Sequence, residues 1–201
     1  MIAHFGIFVN NKHTMGKKEQ LKQLKNKMAN DKMLPLRKTA NKLVFGEGSV
    51  NPKIYFLGEA PGRREDETGL PFVGRAGKLL DELIASVGLV RKQVYITSVV
   101  RYRPPKNRYP LPSEVRAFEP YVNKELDLIK PKLVMTLGRL ALEKFIPNGS
   151  ITNLHGRPVS FNWNGLKFML VPMYHPAAGL RNPKFKLQLF RDFKKTLVLV
   201  K

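Results

Sequence analysis

The sequence predicts an α/β domain in three layers, with a mostly parallel sheet between two layers of helices. Three observations carry that prediction. From residue 53 onward, short β-branched runs alternate with stretches of helical period. Most of those runs close in glycine or in a proline-rich loop, as strands do when they hand the chain to a helix. The length of 201 residues, with 43% hydrophobic content, suits one domain with a single large core.

The elements follow in order. Leu21, Leu24 and Met28 stand at i, i+3 and i+7, which predicts a basic amphipathic helix over 17–30. Residues 1–16 read as an N-terminal extension and a candidate for disorder, with Met15 a candidate start, and 17–201 as a single domain. The short apolar patch at 5–9 lacks the basic leader and cleavage site of a signal peptide. Residues 53–57 form the first strand, closed by Gly58. Leu79, Leu80, Leu83, Ile84 and Val87 mark a helix stopped by Gly88. Residues 94–100 form a second strand, after which Pro104, Pro105 and Pro110 force a loop. Ser113 is the expected N-cap of a helix whose apolar face is Val115, Phe118, Val122, Leu126 and Ile129. Residues 132–137 form a third strand ending at Gly138, followed by a short helix over 139–145. Residues 158–163 and 166–173 flank Asn164-Gly165, a two-residue hairpin signal. A last helix is expected over 185–197.

Composition limits the partners. Lys plus Arg number 36 against 15 Asp plus Glu, a net charge of +21, and the isoelectric point is near 10.3. Such an excess points to a polyanion, with a merely solvated basic surface as the plainer alternative. There is no cysteine, which excludes disulfides, thiolate nucleophiles and cysteine-ligated clusters. The histidines His4, His13, His155 and His175 lack metal-site spacing. No apolar run is long enough to span a membrane. With no cysteine, a cytoplasmic protein held at the nucleoid through DNA is the default expectation, and a monomer is expected.

In sheets of this kind, ligands bind beyond the carboxyl ends of the strands. Three distinctive segments fall there: Gly58-Glu59-Ala60-Pro61-Gly62, residues 97–108, and Tyr174-His175-Pro176-Ala177-Ala178. The first is a tight turn that lets backbone approach a ligand, and alone it is no more than a turn with a solvated Glu59. Phe72 lies in a Pro/Gly-rich loop, where it either stacks on a flat base or staples the loop. His175 at a strand end is suited to donate a hydrogen bond to a developing anion, although a structural histidine is commoner. Arg101, Arg103, Lys106 and Arg108 make a basic loop suited to phosphates, or simply a solvated one.

Taken together these segments are specific. VFGEG (44–48), GEAPG, EDETGLPFVGRAGKLLD, VYITSVVRYRPPKNR, LGRLA and HPAAGLRNP resemble, in order and spacing, the family 4 uracil-DNA glycosylases over about residues 34–197. The resemblance implies an α/β/α fold and an enzyme that flips a uracil, or another deaminated base, out of DNA and hydrolyses its glycosidic bond. It implies that His175 bonds the leaving anion and that Phe72 stacks on the base. Glu59 and the backbone of Gly58, Ala60 and their turn would hold the water. Ser98 would stand at the base-reading position, and Leu180, Arg181 and Asn182 where the family inserts a side chain into the duplex.

Two departures stand out. The family holds a [4Fe–4S] cluster through four cysteines, and the matching positions here are Asp31, Leu34, Tyr102 and Phe118. No cluster is expected; packing of Leu34, Tyr102 and Phe118 is expected to pin the N-terminal segment and the 101–108 loop instead. Ser98 replaces an Asn whose amide reads uracil, and a single rotating hydroxyl is expected to be less selective. A related branch links covalently to the abasic site through a KRRIH insertion, which 101–113 lacks, so hydrolysis is favoured. The rival reading is a catalytically silent DNA-binding or lesion-sensing protein on the same fold. A nucleotide-phosphate hydrolase lacks its P-loop here.

Overall fold

A computed structural model describes residues 15–199. The extension expected at 1–16 lies outside the described residues up to residue 14. Its last two residues lead into the first helix, whose N-cap is Gly16; the Gly16 carbonyl accepts from the N–H groups of Glu19 and Gln20.

Six strands form one sheet: β1 (Glu47–Gly48), β2 (Tyr55–Gly58), β3 (Tyr95–Ser98), β4 (Leu133–Leu137), β5 (Val159–Trp163) and β6 (Leu166–Met173). Their order is β1-β3-β2-β4-β6-β5. The four central strands run parallel, and the edge strands β1 and β5 pair antiparallel. Parallel strands need helical crossovers, and those helices cover both faces. Hence β2, β3 and β4 are buried at every position.

Side chains alternate between two cores. Tyr55 and Leu57 face one that includes Leu21, Leu24 and Met28 of α1 (Lys17–Asn30) and Phe118, Val122 and Leu126 of α4 (Pro112–Ile129). Ile54 and Phe56 face the other, with Leu79, Leu80 and Leu83 of α3 (Arg75–Ser86) and Leu189 and Phe193 of α8 (Pro183–Lys195). The three-layer expectation therefore holds. Short helices α2 (Arg63–Thr68), α5 (Arg139–Glu143), α6 (Ile151–Leu154) and α7 (Pro176–Arg181) complete the chain. The hairpin at 164–165 also holds, with Asn164 and Gly165 both at positive φ (48° and 86°), as such a turn requires.

Two local expectations need correction, and three short helices went unpredicted. Ser113 is not the N-cap of α4; Leu111 occupies that position, and its N–H donates to Glu114 Oε2 at 2.7 Å. Pro112 takes the first helical place at no cost, because an N–H there has no intrahelical acceptor. The last helix starts at Pro183 rather than Phe185, because the Asn182 side chain accepts from the N–H of Lys184 at 2.9 Å. It ends at Lys195, and a 3₁₀ turn follows. Finally, α2, α6 and α7 are too short to show a helical period in the sequence.

Candidate active site

The sheet brings the expected segments to one edge. Gly58 ends β2 and pairs in register with Ser98, which ends β3. Beyond β6 the chain continues into His175, which heads α7. Gly138 at the end of β4 donates to the carbonyl of Met173 at 2.9 Å. A Cβ added at Gly138 would stand 3.1 Å from His175 Cβ, so a bare backbone lets this turn close on the histidine.

Phe72 completes the group. Its ring lies on Gly58: a Cβ there would come within 2.5 Å of the ring edge and 3.4 Å of Ser98 Oγ. The ring centroid is 5.7 Å from that of His175, with the planes 32° apart. Both Phe72 and Ser98 are buried. The backbone of Phe72 sits at φ +52°, in the left-handed region that a bulky side chain rarely adopts. Holding it there costs on the order of 1–3 kcal/mol, so the surroundings must dictate the conformation.

They do so from three sides. Glu65 accepts from the N–H of Val73 at 2.9 Å and of Gly74 at 2.7 Å. Arg91 donates to the carbonyl of Phe72 at 3.2 Å and to that of Pro71, and pairs with Asp81 at 2.9 Å. Gly77 in α3 has no side chain to meet the Phe72 carbonyl, which occupies the space of a Cβ. Sequence reading missed Glu65 and Arg91. The spacing of Gly62 and Glu65, an N-cap followed three places on by Glu, was the available signal for Glu65. No local pattern marks Arg91, which reaches its partners across 19 or 20 residues of chain.

His175 is poised as a neutral donor. Its Nδ1 accepts from the N–H of Ala177 at 3.1 Å, which leaves the ring proton on Nε2. Burial, helped by the charge of Arg181 and opposed by that of Glu65, pushes its pKa down to about 4. The ring is therefore uncharged at neutral pH.

Glu59 is half-buried, and burial followed by the like charge of Glu143 raises its carboxyl above the ordinary value. Tyr109 shares this neighbourhood: burial, then Glu59 and Glu143, push its phenol up to about 12. The β2 turn is tied to the chain leaving β3. Gly58 and Glu59 carbonyls accept from the N–H groups of Val99 and Val100 at 2.9 and 3.0 Å. Ala60 is half-buried and packs against the core on the α1/α4 side. Phe72, Ser98 and His175 thus gather over Gly58, and the charges of Glu59 and Glu143 act on one another and on Tyr109.

The basic loop divides. Arg101 is not a phosphate ligand on a surface. It is wholly buried, its guanidinium spanning both oxygens of Glu125 at 2.6 and 3.2 Å and bonded to Thr97. Tyr55 and Tyr95 donate to the same carboxylate at 3.0 and 2.8 Å. A charge is stable inside a core only when it is paired; here both terminal nitrogens of Arg101 are engaged while its Nε has no hydrogen-bond partner, and the +21 balance gave no sign of which arginine is so placed. Arg108 is exposed but engaged, with two bonds to Glu114 at 2.5 and 2.8 Å that brace the start of α4. Arg103 bonds Asn107 at 2.7 Å, and Lys106 is exposed on a 3₁₀ turn at φ +54°. Leu180 is an exposed apolar side chain at the end of α7, with Arg181 and Asn182 exposed beside it. Asn182 serves as the cap of α8.

Asp31, Leu34, Tyr102 and Phe118 do not fit an iron–sulfur cluster. They offer one carboxylate and no thiol. Leu34, Tyr102 and Phe118 are buried in one core, the two rings 6.1 Å apart. Asp31 Oδ2 accepts from the Tyr121 hydroxyl at 2.6 Å, the main cause of its lowered pKa. Among the described residues no group of three or more His, Asp or Glu could hold a metal ion, and no helix is long and apolar enough to cross a membrane.

Comparison with known proteins agrees with this geometry. The profile of the uracil DNA glycosylase superfamily matches residues 45–198. A type-4 uracil-DNA glycosylase of Sulfurisphaera tokodaii is 40% identical over 183 residues, 88% of this chain and 83% of that protein. One of Archaeoglobus fulgidus is 43% identical over 166 residues, 80% of this chain and 83% of that protein. A type-5 enzyme of Thermus thermophilus is 36% identical over 118 residues, about half of each chain. The match spans the sheet and every segment gathered at its carboxyl edge, and this chain therefore belongs to the uracil-DNA glycosylase superfamily, alongside its type-4 members.

Proposed function

We propose that the protein excises uracil from DNA by hydrolysing the glycosidic bond, leaving an abasic site for base-excision repair. The observation that carries this reading is the pairing of a neutral His175, its proton directed to Nε2, with the Phe72 ring over Gly58. A base in a duplex hides its C1′–N1 bond, so it must leave the stack first. The flipped base lies on the Phe72 ring. Water attacks C1′, the C1′–N1 bond breaks, and its electron pair departs with the base as an anion. Nε2–H of His175 donates to that anion, and Glu59 takes the proton from water. Such a donor stabilises charge only as it develops, which is why it accelerates the reaction. Leu180 enters the gap left by the base, and Arg103, Lys106 and Arg181 meet the backbone. The protein acts as a monomer.

Ser98 widens the range of bases in this reading. Its hydroxyl, 3.4 Å from where a Cβ on Gly58 would stand, replaces the amide of the type-4 pattern, so xanthine or hypoxanthine is a further substrate. The fold needs no iron–sulfur cluster, because buried side chains fill three of the four corresponding positions and Asp31 is bonded to Tyr121 at the fourth; iron analysis of anaerobically purified protein should find it far below one cluster per chain. The deciding assay is alkali-labile nicking of oligonucleotides carrying uracil, xanthine or hypoxanthine. Uracil strands should be nicked, and His175→Ala should slow this by about 10²–10³. Salt-sensitive binding without nicking would instead mean a silent DNA-binding protein.

A further inference from the structure

Glu65 lies outside the expected constellation, yet its carboxylate joins two parts of it. Oε1 accepts from the N–H groups of Val73 and Gly74, immediately after Phe72. Oε2 accepts from the N–H of Gly62, which ends the turn beginning at Gly58. One side chain therefore holds the loop of the stacking ring and the turn beneath it in a single frame. A Cβ added at Gly62 or Gly74 would lie 2.9 or 3.1 Å from these oxygens, so both segments approach the carboxylate with bare backbone.

The frame has a second side. Arg91 grips the carbonyls of Pro71 and Phe72, so acceptor and donor bonds hold residues 71–74 from opposite directions. A residue strained at φ +52° would relax if either set were released. The ring rests against Gly58 without intervening atoms, so a small backbone shift moves it relative to His175 and to the turn.

We infer that Glu65 is a positioning residue for base excision, setting the Phe72 ring and the Gly58–Gly62 turn in register with each other, with Arg91 as its counterpart. The inference rests on the base-stacking role proposed above for Phe72. In this reading Glu65 touches neither the base nor the water; it acts through the backbone N–H groups that follow Phe72 and through that of Gly62.

A double-mutant cycle tests it. Single-turnover excision is measured on a uracil duplex for wild type, Glu65→Gln, Phe72→Ala and the pair. Binding is measured on the same duplex carrying non-cleavable 2′-fluoro-deoxyuridine. Glu65→Gln should slow excision by roughly 10–100-fold, as small misplacements of reacting groups do, with binding changed less than about threefold. In the Phe72→Ala background the same substitution should change the rate less than about threefold. Losses that multiply, or a Glu65→Gln enzyme at the wild-type rate, would overturn the inference and leave the stacking role standing. A Phe72→Ala enzyme at the wild-type rate would overturn both. Circular dichroism and thermal unfolding check that each variant folds; should Glu65→Gln not fold, Arg91→Gln takes its place in the cycle, with the same expected and overturning results.

Discussion

At the scale of the residue, two titrating groups have environments that push them in opposite directions. Burial depresses His175 to about 4, and burial with Glu143 raises Glu59 above the ordinary carboxylate value. The proposed chemistry needs His175 neutral and Glu59 ionised. As pH falls, Glu59 gains its proton first and His175 second, so activity has an acid limb but none from these groups on the alkaline side. The rate–pH profile of single-turnover excision should thus turn down above pH 4.5, the ordinary value from which Glu59 is raised. Glu59→Gln should lower the plateau by about 10²-fold and move the remaining limb to about 4. A limb unmoved in that variant would remove Glu59 as the base. His175 and Phe72 were candidates in the sequence through the family resemblance of their segments, since alone each has an ordinary structural explanation. Glu65 was harder to see because its partners are backbone N–H groups, which any sequence supplies.

At the scale of the element, the question is what fastens α1 and the 101–108 loop to the sheet. Leu34, Tyr102 and Phe118 pack in the core that α1 and α4 share, and the Asp31–Tyr121 bond closes its edge. Fully buried Phe118 is the centre of this packing. Phe118→Ala should destabilise the fold by about 3–5 kcal/mol in urea unfolding. Amide exchange should rise first in α1 and the 101–108 loop if that packing is their fastening; uniform acceleration across the sheet would show that it is not. The sequence placed Phe118 on the apolar face of its helix, but the packing of Leu34, Tyr102 and Phe118 against one another was expected only through the family resemblance that marks where thiols are missing. That they meet one another follows from the crossing of α1 and α4, which no local pattern encodes.

At the scale of the molecule, a charge of +21 predicts binding to DNA that weakens steeply with salt. The structure separates Arg103 and Lys106, which meet solvent, from Arg101, which does not. Each phosphate left without its cation should reduce the slope of log K against log salt by about 0.9, so Arg103→Ala with Lys106→Ala should reduce it by about 1.8. Arg101→Met should leave the slope unchanged. It would strip Glu125 of its cationic partner and cost stability by about 3–5 kcal/mol, because the carboxylate stays buried. A reduced slope in Arg101→Met would contradict the internal role of this arginine.

The sequence by itself determined the layering, the parallel sheet, the hairpin at 164–165 and the three segments at the strand ends. Those depend on periodicity and on turn chemistry, which are local. It also determined that no thiolate-held cluster can form, because the chain has no cysteine. Only the tertiary structure decided that Phe72 lies on Gly58 beside His175 and that Nδ1 of His175 is occupied by Ala177. It likewise decided that Arg101 faces inward to Glu125 while Arg103 and Lys106 stay outside. The reason is common to these cases. Charge, ring and glycine are properties of a residue, but burial, partner and protonation state belong to what the folded chain brings against it.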